Sequence, residues 1–155
     1  MVDGACLQKI LQEEADYLDC MVELEEETQT LLVRGDAGEL EKINLQKEKL
    51  ISRLTDLEQQ RRKLLSEEIT LDEFLQTEEP SNHRELTEIK RAILNLHASL
   101  QKRLEINRYL LHHNLQFTRQ AMSTLFPGIK ESLYASRGEK AGQRRLSAGL
   151  LDKPC

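Results

Sequence analysis

Four histidines, three cysteines and one run of cations are the side chains here with the most chemical reach, and their spacing limits what they can do. His83, His97, His112 and His113 lack the i, i+4 spacing of a helical metal site and have no acids placed to complete one, so they read as solvated or rim residues. Cys6, Cys20 and Cys155 are odd in number and show no short metal-ligand spacing, which argues against a disulfide scaffold. Cys6 and Cys20 stand fourteen residues apart on one helical stripe and read as small, semi-buried fillers, and Cys155 as a tail residue. No nucleophile–base pair, glycine-rich phosphate loop or zinc spacing occurs. The reading is therefore not an enzyme, with no metal site and no cofactor. The cations Arg61, Arg62 and Lys63 close a helical stretch, where they oppose the negative end of its dipole, so they require no nucleic acid. Asn107 and Asn114 lie one heptad apart on an apolar helix face. Buried, such residues would need partners and could fix register; at a bundle edge they would meet water, and both readings stay open.

The elements that must position these residues are long helices. Charged residues make up 32% of the 155-residue chain and aromatics 4%, with no Trp and three Pro, a composition of extended helices rather than of a sheet-bearing core. Residues 82–126 run 45 positions without Pro or Gly and stop at Pro127-Gly128, a rod of about 67 Å. Asn82 and Glu85 read as its capping box. Leu86, Ile89, Ile93, Leu96 and Leu100 step by three and four as a bundle seam. Beyond Leu100 the alternation fails, and an apolar stripe resumes one residue later through Leu104, Asn107, Leu111, Leu115, Met122 and Leu125, widened by Leu110, Phe117, Ala121 and Phe126. Such a discontinuity locally unwinds a supercoil.

A first helix over about residues 3–33 carries Leu7, Ile10, Glu14, Tyr17, Met21, Leu24, Thr28 and Leu31 at seam spacing, broadened by Leu11, Leu18, Val22 and Leu32. A stripe that wide suits a helix touching two neighbours. Arg34-Gly35-Asp36 forms the turn, Gly35 supplying the left-handed stop and Asp36 with Glu39 the next cap. The second helix, about 37–66, has the heptad Leu40, Ile43, Lys47, Leu50, Leu54, Leu57, Arg61 and Leu64. So short a connection makes the pair an antiparallel hairpin. Residues 67–81 form a linker in which Thr70 and Glu73 can cap one short turn bearing Leu71, Phe74 and Leu75.

The expected fold is all-α: an antiparallel bundle of three long helices over 1–126 and a flexible basic tail over 127–155. The net charge of −5 is uneven, with −8 in residues 1–33 and +3 in the tail. Residues 1–33 hold no signal-peptide-like apolar run, and no 18-residue apolar stretch occurs anywhere, so the expectation is a cytoplasmic protein without membrane insertion.

Four segments taken together, LLVRGDAGELEKI, KEKLISRLTDLEQQRRKL, NRYLLHHNLQFTRQAMSTLFP and SLYASRGEKA, resemble the FlgN-type flagellar export chaperone family over about residues 5–142. Their order and the closing Tyr-x-x-x-Gly carry the likeness. Ala-Ser-Arg between Tyr134 and Gly138 departs from it, since family members often carry an acidic residue there. The resemblance implies a chaperone that binds the hook–filament junction proteins FlgK and FlgL before export, with the client on the late helix and the region after it. It also implies docking of Tyr134, with Gly138, on the export-gate component FlhA.

Helix lengths suggest where a client would sit. If residue 82 starts level with the end of the second helix, a 30-residue hairpin covers the third helix only to about His112. Asn114, Leu115, Phe117, Ala121, Met122, Leu125 and Phe126 would then overhang as a client-binding face. The chain is expected as a monomer or weak homodimer. Alternatives are a structural coiled-coil adaptor, a sister export chaperone with another client, and a nucleic-acid-binding hairpin using Arg61, Arg62, Arg103 and the tail. The net acidity speaks against nucleic acid, and the broken heptad against an adaptor.

Overall fold

The computed structural model describes residues 2–66, 69–78 and 81–127. The described residues form four α-helices and no strand: α1 (Gly4–Arg34), α2 (Ala37–Leu65), α3 (Leu71–Glu78) and α4 (His83–Leu125). The three long helices begin and end within a residue of the expected bounds. The expected linker is not merely a connection, because it holds a fourth helix. The chain divides into two compact units, Met1–Leu111 and His112–Cys155.

Local chemistry sets each helix end. Asp3 accepts from the Ala5 N–H at 3.0 Å and Asp36 from the Glu39 N–H at 3.1 Å. Gly35 sits at φ 75° and ψ 26°, where a side chain would be strained. Its N–H and that of Asp36 both donate to the Leu31 carbonyl, at 2.8 and 3.2 Å, so one left-handed residue closes α1 and opens the turn.

The Thr70–Glu73 capping box forms in both directions. The Glu73 N–H donates to Thr70 Oγ1 at 3.2 Å, and the Thr70 N–H donates to Glu73 Oε2 at 2.8 Å. The Thr70 backbone N–H, then its hydroxyl, hold the Glu73 carboxyl below its ordinary range. A depressed folded-state pKa stabilises above the unfolded-state value, and the stabilisation is lost as pH falls through the folded one. Acid titration is therefore expected to fray α3 only as pH falls below the ordinary carboxylate value toward the lower folded-state one, and Glu73→Gln to flatten that acid limb in helicity measured by circular dichroism.

The cap expected at Asn82 does not form. Its Nδ2 instead donates to the Gly4 carbonyl and to Gln8 Oε1, both at 2.8 Å, tying the start of α4 to the start of α1. A Cβ at Gly4 would lie 2.7 Å from Asn82 Oδ1, so the missing side chain permits this approach.

α1 is the central helix of the first unit, with twelve buried residues against three each on α2 and α4, as its wide stripe requires. The main apolar cluster gathers Leu7, Leu11, Ala15 and Leu18 of α1, Leu65 of α2, Phe74 and Leu75 of α3, and Leu86 and Ile93 of α4. All belong to the first half of α1, the end of α2, α3, and the first quarter of α4. This main cluster thus sits at one end of the unit and includes α3, while Met21, Val22, Leu31, Leu32 and Ile43 are buried toward the Gly35 turn. Leu7 and Leu86 are fully buried, each burial contributing about 1.5–3 kcal/mol. Cys6 and Cys20, expected as semi-buried fillers, are exposed instead. They fall on the rim of the stripe, where α1 has no neighbour to cover it.

Candidate functional site

Away from the apolar cluster, polar residues at seam positions join the helices. The Lys47 ammonium lies 2.6 Å from Glu25 Oε1 and donates to Thr28 Oγ1, also at 2.6 Å. The Thr28 hydroxyl in turn donates to the Leu24 carbonyl at 2.7 Å. Asn107 of α4 donates through Nδ2 to the Glu25 carbonyl at 2.8 Å and to Glu25 Oε2 at 2.7 Å. Glu25 is only 4% exposed and Asn107 6%. One buried carboxylate therefore receives a bond from each of the other two long helices. Arg103 pairs with Glu26 beside it, and Arg61 of α2 approaches Glu14 of α1 at 3.7 Å.

These pairs define the topology. Glu14–Arg61 and Thr28–Lys47 straddle the same point between Ala37 and Gly38, so α1 and α2 are antiparallel in a single register. Asn82–Gly4, Arg103–Glu26 and Asn107–Glu25 are separated by 78, 77 and 82 residues, so α4 runs parallel to α1. Of the two readings left open for Asn107, the buried and bonded one holds.

The expected break after Leu100 also resolves. Buried or half-buried positions continue at three-four spacing through Leu96, Leu100, Arg103, Asn107 and Leu110. The inward seam is thus unbroken, but its chemistry turns polar. Leu104 and Leu111 belong to a second stripe facing solvent, 45% and 48% exposed. Spacing therefore does not separate this chain from a coiled-coil adaptor.

In the second unit the described residues are 112–127, which include the last turns of α4. Leu115, Phe117, Met122, Leu125 and Phe126 are exposed by 49, 69, 44, 70 and 52%. Asn114 and Ala121 are half-buried. Leu115, Met122 and Phe126 share one helix face, with Leu125 beside them. Tyr134 and Gly138 lie outside the described residues, as does the remainder of the expected tail beyond Pro127.

The hydroxyls between these apolar residues are satisfied within the helix. Thr118 donates to the Asn114 carbonyl at 2.9 Å, and Ser123 and Thr124 donate to that of Gln120 at 2.8 and 2.9 Å. This segment therefore presents hydrocarbon with few outward polar demands. Sequence reasoning found the exposed stripe but not the Glu25–Lys47 link. Its signal was polar residues standing at seam positions on two helices known to be paired.

Among the described residues no group of three or more His, Cys, Asp or Glu could hold a metal ion, and no helix is long and apolar enough to cross a membrane. A helical bundle that exposes a run of large apolar side chains on one helix is the form of a protein that binds other proteins. The family model described as FlgN protein matches residues 1–142, and the chain belongs to that family, one of flagellar export chaperones. No match is found among curated proteins or among solved structures.

Proposed function

We propose that this chain is a cytoplasmic chaperone of flagellar type III export that binds hook–filament junction proteins of the FlgK and FlgL class before secretion. The observation that carries the reading is the exposed apolar face at the end of α4, in a chain of this family. A client helix with an apolar stripe can lie along such a face, anchored at i, i+3, i+4 and i+7. Leu115, Phe117, Met122, Leu125 and Phe126 supply the contact area, and Asn114 and Ala121 flank it. Bound there, a client's own helices are kept from associating early. Tyr134, with Gly138, then docks the loaded chaperone on the export-gate component FlhA. The free chaperone is a monomer or weak homodimer.

The test compares the parent chain with a Met122→Ser, Phe126→Ser double variant by thermal melting and by calorimetric titration with purified FlgK and FlgL. Both residues are about half exposed, so the melt should shift little while affinity falls at least tenfold, from the loss of two apolar anchors worth about 1 kcal/mol or more each. Unchanged affinity would remove the client site from this face. In the same series Tyr134→Ala should preserve client affinity and weaken binding to FlhA.

A further inference from the structure

The charges around the apolar face point to what its occupant carries beside its own apolar stripe. The chain has 27 acidic residues, yet none lies between Glu105 and Glu131. Over the described part of that window, the ionisable side chains are cationic or histidine, apart from Tyr109: Arg108, His112, His113 and Arg119. On α1 acids are dense, and Asp16, Asp19, Glu23, Glu26 and Glu27 are all exposed there. An acidic helix approaching the chain would be repelled by α1 and would meet no like charge along the end of α4.

We infer that the partner bound at the end of α4 is an amphipathic helix whose apolar stripe is flanked by acidic residues, with Arg119 pairing one flank. The inference rests on the reading of this face as the client site and specifies the chemistry of the client segment. Selection works in two parts. The apolar side chains supply affinity without regard to charge, and the acid-free window selects among apolar helices by sparing the acidic ones the repulsion they meet at α1. An anionic membrane surface is the other occupant that avoids acids. It is disfavoured because helices that lie on membranes carry a strongly cationic polar face. Here Arg119 is the single Lys or Arg between residues 112 and 127, and the hydroxyls of Thr118, Ser123 and Thr124 are turned back onto their own helix.

Two designed 20-residue helical peptides with the same Leu/Met stripe, one flanked by Glu and one by Lys, would be titrated by fluorescence anisotropy against the full chain. The expected result is about tenfold tighter binding of the Glu-flanked peptide in dilute salt, the sum of a few weak, exposed charge pairings, fading toward equality near 1 M salt. Arg119→Glu, at an exposed position, should leave the melt unchanged and erase or reverse the preference. Equal affinities that ignore salt, but are lost in the Met122→Ser, Phe126→Ser variant, would overturn the charge inference and leave the client site standing. Binding of neither peptide, together with unchanged FlgK and FlgL affinity in that double variant, would overturn both. Binding to phosphatidylglycerol vesicles in preference to either peptide would assign the face to lipid, and self-association that excludes both peptides would assign it to a second copy of the chain.

Discussion

Lys47→Met is expected to lower the free energy of unfolding by about 3–5 kcal/mol, because it leaves the Glu25 carboxylate, 4% exposed, without its cation. That is a large share of the roughly 5–15 kcal/mol that a domain has available. Urea denaturation of the full chain measures it. The informative companion is Glu25→Leu, Lys47→Met, Asn107→Leu, which replaces the whole polar link with hydrocarbon. Removing a complete buried network is often neutral or stabilising by about 1–4 kcal/mol, so the triple variant should recover the loss and exceed the parent. A Lys47→Met protein within 0.5 kcal/mol or so of the parent would show that the ion pair is solvated and does not hold the helices. If the triple variant is more stable, the link is retained for something other than stability. Register is what the geometry offers, since the Glu25 side chain is bonded to both α2 and α4.

The second large effect is expected at Phe74, which is 2% exposed and belongs to a helix of only eight residues. Phe74→Ala should cost about 3–5 kcal/mol through lost burial and the cavity left behind. For a chain of this length that lowers Tm by roughly 10 °C. The remaining ties of α3 include Leu75, Leu71 and the exposed Lys90–Asp72 ion pair, which contributes little. Limited proteolysis of the variant should therefore cut between α2 and α4 before the long helices unfold. An unaltered melt would mean that α3 rests on the bundle without being part of its core.

Sequence patterning carried the long helices because most of their ends are written locally: the Asp3 start and Gly35 stop of α1, the Asp36 start of α2, and the Pro127-Gly128 pair after α4. It also carried the α3 capping box, since Thr70 and Glu73 are three apart and need no distant partner. Where a residue's role depended on another helix, local reasoning failed. Asn82 looked like a cap until Gly4 and Gln8 drew its amide away. The three-four spacing after Leu100 appeared to break because apolarity was followed rather than position. The true seam runs on through Arg103, half-buried beside Glu26, and Asn107, whose burial is possible because Glu25 lies opposite. Cys6 and Cys20 were placed beside the correct stripe, but the stripe's edge lies inside them. The family match gives the class of function, while the choice of residues at the end of α4 stands on exposure and spacing.

The placing of the main apolar cluster has a consequence for how the chain is made. Leu7 and Leu11 are covered largely by residues that follow much later, among them Phe74, Leu86 and Ile93. At about 5–20 residues per second on the ribosome, several seconds or more separate the emergence of that apolar stripe from the arrival of its cover. During that interval the α1–α2 hairpin can close at the Gly35 turn and pair its polar seam residues, but the opening turns of α1 are covered on one side only, by Leu54, Leu64 and Leu65 of α2, and stay greasy on the other.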